Sequence, residues 1–491
     1  MFFTKKKSAA LLLALLMAAS AFTGCAGSED GSGDAAVDGT TAVTTAAVAE
    51  ETAFTYSANV PAGTNYNGYE FRICVYDQSN AVWHDVDFSA ETETGDTIND
   101  AVYRRMVNTE EALGIDIIAR PDAATGSNVK LLNAVKSDED AYDIASLGIT
   151  NAYNAAREHA LIDLFTTDIQ LDAPWWDQNA IDEMSIAHKL YMLEGDISIL
   201  YKKTIGSILF NKEMYAENNL PNPYEKVEDK TWTFDFFADS VKTVANDLNG
   251  DSKMDTEDQW GILIPIDIYN AALIGCGVDF CTKDADDIPQ LSFFNERTEK
   301  VFSTILAFSS DEAHVYGVGT TGSDDRARMF SQGQCLFTYA IFYQIEALRQ
   351  MDGDFGILPM PLFDSTQESY YHSVHAVCGS CITIPVTNRD LTRTAYVLDT
   401  LGAESKNILT PAYMDTYLKG KGSRDNESEA ILDLIFSTLD YDIGFSVGFG
   451  GMGSFARDLL NTKKDTLAST YQKIESKIIQ DRDAFIEAFQ K

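Results

Sequence analysis

From Tyr69 onward the chain alternates between two hydrophobic rhythms. The runs EFRICVY (70–76), GIDIIAR (114–120) and YDIASLG (142–148) have the length and composition of buried strands. Between them, Asn99–Leu113 and VKLLNAVKS (129–137) place apolar residues three and four apart, which predicts helices. Strand, helix, strand, helix, strand with crossovers of this length implies parallel strands in a helix-covered sheet, an α/β body. Ligands of such sheets sit beyond the carboxyl ends of the strands. Those ends are Asp77 to Trp83 and Ile149 to Tyr153.

The stretch from Thr231 to Ile262 is the most explicit part of the pattern. Trp232, Phe234, Phe237, Val241 and Val244 recur at helical steps, and Trp260-Gly-Ile-Leu-Ile-Pro265 reads as a buried strand. The connection, DLNGDSKMDTED, carries Asp247, Asn249, Asp251, Asp255 and Asp258 at positions 1, 3, 5, 9 and 12 of an EF-hand-like loop, with the Lys253 carbonyl at position 7. Position 6 is Ser252 where that motif has glycine, and position 12 is Asp258 where it has glutamate. A strand follows where an EF-hand would continue into a helix. The loop is therefore expected to hold a structural Ca2+, not to act as a sensor.

The N-terminus follows a different rule. Lys5, Lys6 and Lys7 precede the apolar run Ala9–Ala21 and then Phe22-Thr23-Gly24-Cys25, the layout of a secretory signal over 1–24. The cysteine after Thr-Gly resembles a bacterial lipobox, which implies lipidation at Cys25 and an extracytoplasmic, membrane-anchored chain. Residues 25–65 are mostly small and acidic, a composition expected for a flexible linker. The charge of −38 argues against nucleic-acid and polyanionic partners. No later stretch is apolar enough to span a membrane.

Cysteine usage adds little chemistry. Cys74 and Cys335 lie in strand-like runs and are expected as buried thiols. Cys276/Cys281 and Cys378/Cys381 are close enough to pair, and the sequence leaves both pairings open. Cys378-Gly-Ser-Cys381 leads into a strand-like ITIP run, so it lacks the helix N-terminus that activates a redox thiol. His372 and His375 have no third ligand nearby and are expected as polar residues beside a strand.

A set of short segments occurs in a recognisable order: GDTINDAVYRR (95–105), APWWDQNA (173–180), YMLEGDIS (191–198), ILFNKEMYAENNLPNPY (208–224), TWTFDFF (231–237), DLNGDSKMDTEDQWGI (247–262), MFSQGQCLFTYA (329–340), DFGILPMPLFD (354–364) and ITIPVTNRD (382–390). In this order they resemble extracellular solute-binding proteins of family 1, the maltose-binding-protein-like group that serves carbohydrate ABC importers. The resemblance implies a periplasmic-binding-protein-like fold of two α/β lobes, with a hinge and an interlobe ligand cleft. Lobe one would comprise 66–200 and 359–415, and lobe two 201–358 and 416–491. Crossings are expected near Asp196–Ile205, Leu358–Met360 and Thr410–Ser423. The implied function is capture of a carbohydrate, an oligosaccharide by preference, by lobe closure and delivery to the transmembrane subunits of a permease. The chain is expected to act as a monomer.

A sugar offers hydroxyls to polar groups and C–H faces to aromatic rings. Asp77 and Trp83 follow the first strand, and Asn151 and Tyr153 follow the third. Tyr269 lies in a segment similar to the one that supplies a stacking tyrosine in maltose-binding relatives. Tyr339, Phe342 and Tyr343 stand where that group often carries tryptophan, and Tyr441 lies in a glycine-rich segment. Trp175, Trp176, Trp232 and Trp260 are assigned to packing or to lobe interfaces. The competing reading is an anchored glycan-active enzyme with two catalytic carboxylates. The resemblance carries no catalytic residues, and H-E-x-x-H and P-loop motifs are missing from the sequence.

Overall fold

The computed structural model describes residues 55–76, 87–122, 129–317, 323–345, 348, 351–376, 379–414 and 426–490. The readings placed on Cys25, the leader, most of the linker, Asp77, Trp83 and Cys378 lie outside these residues. Residues Thr55–Lys491 form one contact unit, and among the described residues its two larger sheets have four and five strands, with two further two-stranded sheets.

The first sheet centres on Tyr69–Tyr76, with Ile115–Asp122 parallel on one side and Ile144–Gly148 parallel on the other. Ser380–Thr383 adds antiparallel to the outer edge of Ile144–Gly148. The predicted β-α-β-α-β order is present, with helices at Thr97–Leu113 and Val129–Lys136. Asp96 caps the first of these by accepting from the amides of Ile98 and Asn99 at 3.1 and 2.9 Å. Gly114 ends it at φ +62°, a left-handed turn glycine tolerates well.

The second sheet runs Phe355–Leu358, Gly206–Asn211, Cys335–Ile341, Trp260–Ile264, Val315–Gly317. Its last three strands are parallel and its first three antiparallel. Helix Phe234–Val241 packs its aromatic stripe here. Trp232 is fully buried, edge-on to Phe236 and Phe237, and its indole donates to the Pro359 carbonyl at 3.0 Å. Removing that ring would leave a large cavity and an orphaned carbonyl.

The chain passes from the first sheet to the second through a short helix, Leu200–Lys203, and returns between Leu358 and Ser380. Beside the outgoing passage Asp196 binds Lys202 at 2.7 Å, Lys406 at 3.0 Å and the Thr410 hydroxyl at 2.8 Å. Burial alone would raise its carboxyl; the two lysines outweigh that and hold it below the usual range. Arg105, wholly buried, donates to the Asp87 and Ile197 carbonyls and to Ser405 Oγ, tying the first helix to both neighbouring segments.

Candidate functional site

The sheet rule directs attention to where parallel strands Trp260–Ile264 and Val315–Gly317 end. There the structure holds a cavity of about 720 Å3. Pro265 stops the first strand, and the chain turns into helix Ile268–Gly275, whose first turn brings Tyr269 to the cavity. Trp260 and Tyr316 supply a second aromatic surface, their ring centroids 4.8 Å apart and tilted by 38°. Ser309, Glu312, Asn461 and Lys463 bring the polar groups. Lys463 and Glu312 pair at 2.7 Å, and that hydrogen bond lowers the Glu312 carboxyl. Burial raises the Tyr269 phenol, with Ser309 and Lys463 opposing the shift. Apolar rings with a few placed polar groups are the usual make-up of a small-molecule site.

Of the other residues singled out by sequence, Asn151 and Tyr343 are half-buried, the first in helix Ile149–Arg157 and the second in the turn after strand Cys335–Ile341. Four aromatics lie in the core or framework, away from this cavity. Tyr153 is buried, edge-on to Phe485 at 5.7 Å, with its hydroxyl on the Met184 carbonyl. Tyr339 lies in a strand buried on both faces, and its ring fills the space beside Gly206, where a Cβ would collide with it. Phe342 is buried against Phe436, and the buried Tyr441 donates to Asp177 at 2.8 Å. The reason is shared: a sheet or helix covered on both sides leaves its aromatics no open face.

Trp260 is the opposite case. Assigned to packing by sequence, it is buried and also forms part of the cavity wall. Tyr316, Ser309, Glu312, Asn461 and Lys463 carried no sequence signal of their own. The strand-end rule, applied to the second sheet as it was to the first, would have pointed to Tyr316.

The 247–258 loop borders this region through Met254, which lines the cavity. Its base is closed by paired bonds between Asn246 and Gln259, at 2.8 and 3.0 Å. Ser252 takes φ +67° at the position where the calcium motif calls for glycine, so the backbone makes the required sharp turn. The side chains are bonded to the loop's own amides. Asp247 accepts from Gly250 and Ser252, Asn249 from Asp251, Asp251 from Lys253, Asp255 from Glu257, and the fully buried Asp258 from Leu248 and Asp255. The Lys253 carbonyl remains the seventh-position candidate. Among the described residues, no group of three or more His, Cys, Asp or Glu side chains is arranged to hold a metal ion.

The remaining expectations concern thiols and histidines. Cys276, Cys281, Cys335 and Cys381 are free thiols, and Cys74 is buried in the first sheet. His372 is buried: its Nε2 accepts from the Met360 amide at 3.1 Å and its Nδ1 lies 2.9 Å from the Thr438 hydroxyl. Burial pushes its pKa down to about 3, so the ring is neutral.

No family model and no curated protein matches this sequence. Solved structures do match by fold. A cyclo/maltodextrin-binding protein complexed with maltotetraose superposes with a TM-score of 0.55 at 13% identity, over 86% of this chain and 97% of the other. The ABC substrate-binding protein Lmo0181 from Listeria monocytogenes, in complex with cycloalternan, gives 0.50 at 12%, over 86% and 99%. UgpB from Mycobacterium tuberculosis, in complex with glycerophosphocholine, gives 0.51 at 11%, over 87% and 100%. The chain thus shares the two-lobed fold of these proteins.

Proposed function

We propose that this chain is an extracytoplasmic solute-binding protein that captures a carbohydrate, preferably an oligosaccharide, and delivers it to an ABC permease. The observation that carries the reading is the cavity at the carboxyl ends of the second sheet's strands, where Tyr269, Trp260 and Tyr316 meet a small polar set. The fold it shares with a maltodextrin-binding protein and an ABC substrate-binding protein supports the same reading. The lining also weighs against the glycosidase alternative. Such an enzyme places two carboxyls about 5–9.5 Å apart, and the described lining residues include one carboxylate, Glu312, paired with Lys463.

The leader and Cys25 support export and lipid anchoring, and among the described residues no helix is long and apolar enough to cross a membrane. For the loop we keep calcium as a structural ligand. Its backbone has the needed turn at Ser252, and Asp247, Asn249, Asp251, Asp255, Asp258 and the Lys253 carbonyl would be the ligands, since a carboxylate that accepts an amide N–H keeps further lone pairs for a cation.

Thermal unfolding with maltotetraose, maltotriose, cycloalternan and glycerophosphocholine tests the proposal. A ligand at 100 times its dissociation constant stabilises by about 2.7 kcal/mol, and Tyr269→Ala should abolish the rise. A rise with glycerophosphocholine and none with the saccharides would move the substrate class to phosphodiesters. No response to any of the four would remove carbohydrate capture of this kind.

A further inference from the structure

Helix Phe234–Val241 and strand Trp260–Ile264 are joined by residues 242–259, far more chain than a helix-to-strand link needs. The end of this connection leads to the cavity through consecutive bonds. The buried Asp258 carboxylate accepts from the Asp255 amide at 2.8 Å and, with its other oxygen, from the Leu248 amide at 3.0 Å. The Asp255 carbonyl then accepts from the Trp260 indole at 2.7 Å. Trp260 in turn packs on Tyr316, and both line the cavity beside Met254. The Thr256 carbonyl is held from the far side by Gln334 Nε2 at 2.9 Å.

We propose that the 247–258 loop is a positioning element of the ligand site, with Asp258 fixing Asp255, Asp255 fixing the indole, and the indole setting the pitch of Tyr316. This deepens the carbohydrate reading and rests on it. Ring pitch matters because a C–H face stacks productively over a narrow range of angles and distances. A relay of two short hydrogen bonds from a carboxylate of zero exposure supplies that rigidity without placing the carboxylate in the site. The loop's cation chemistry is not required: the relay is complete in hydrogen bonds.

The test is Asp258→Asn in the full chain, which keeps the volume but turns an amide donor toward one of two backbone donors. Its first readout needs no ligand. The near-ultraviolet circular dichroism of Trp260, obtained as the difference between wild type and Trp260→Phe, should collapse in Asp258→Asn while the far-ultraviolet spectrum persists. An unchanged indole signal would overturn the relay.

The second readout is the calorimetric Kd for maltotetraose. Trp260→Ala and Asp258→Asn should each weaken binding by about tenfold. The double variant should bind no more weakly than Trp260→Ala alone, because Asp258 acts through that indole. Losses that multiply would show that Asp258 acts elsewhere and would overturn the proposal. Failure of the wild-type chain to bind maltotetraose counts against the carbohydrate reading instead, and the indole signal then decides the relay.

Discussion

Two acidic regions of this molecule contain the same side chains and face opposite physics. In the 247–258 loop Asp251 and Asp255 are exposed, and Asp247, Asp251, Asp255 and Asp258 each accept at least one amide N–H. The other region is a cavity of about 270 Å3 lined by Glu183, Asp279, Asp440 and Asp442, at the junction of helix Gln178–Met184, the Cys281–Leu291 hairpin and the start of helix Ile443–Val447. Lys283, the cation in that lining, binds Asp287 at 2.7 Å and the Ser185 carbonyl at 2.8 Å. Burial, and then the charge of Asp440, pushes Glu183 up to about 8. Burial and Asp440 likewise raise Asp442, and burial raises Asp440 itself. A carboxylate count therefore says little until burial is known: in the cavity, burial raises Glu183, Asp440 and Asp442 toward their protonated forms.

The largest test of this contrast is Asp442→Ala. Its carboxylate accepts from the amides of Phe280, Cys281 and Phe445 at 2.6, 3.0 and 3.0 Å. Orphaning three amides should cost about 3 kcal/mol in urea unfolding, since each loss is about 1 kcal/mol or more. A cost below about 1 kcal/mol would mean that water or a neighbour replaces it.

The next effect is pH dependence. A carboxyl raised in the folded state stabilises the fold while protonated, fully below its ordinary value of 4.5, and that contribution is lost as pH rises through about 8. Wild type should lose about 2 kcal/mol more than Glu183→Gln between pH 5 and pH 8.5. Gln can keep accepting from the Tyr441 amide, which Glu183 holds at 2.6 Å. Parallel stability curves for the two chains would remove Glu183 from the acid-stabilised set.

How much of this was readable in advance follows from the range of the interactions. The strands EFRICVY, GIDIIAR and YDIASLG and their two intervening helices are set by local periodicity, and they fold where the pattern put them. The loop's composition and its Ser252 turn were likewise local. Tyr269 reaches a cavity because Pro265 ends a strand just before it. Tyr153 and Tyr441 looked equivalent in sequence and are buried, because Phe485 and Asp177, far away along the chain, cover them. The cavity itself joins Met254 to Lys463, a separation that periodicity does not span. For the same reason the raised carboxyls were invisible: Glu183 and Asp442 meet through tertiary contact.

A third, smaller test concerns Glu194, buried with neither carboxyl oxygen hydrogen-bonded. Burial raises it well above the usual range, with Asp177 and Asp87 adding to the effect and Lys202 opposing it. Replacing an unpartnered buried acid by an apolar side chain of similar size is stabilising where it packs. Glu194→Met should raise stability by about 1 kcal/mol at pH 8; a loss of that size would reveal a partner that the carboxyl depends on.

The smallest effect belongs to the exposed loop and completes the contrast. Asp251→Asn keeps the oxygen that accepts from the Lys253 amide at 2.8 Å, and its charge faces water. In chelator it should change stability by less than about 0.5 kcal/mol, as exposed substitutions do. With calcium added, the wild-type midpoint should climb with concentration and the Asp251→Asn midpoint should climb less, because one charged ligand is gone. Equal midpoints with and without calcium in wild type would remove the ion from the loop. The same four acids would then be a hydrogen-bonded turn whose charge is carried by solvent alone.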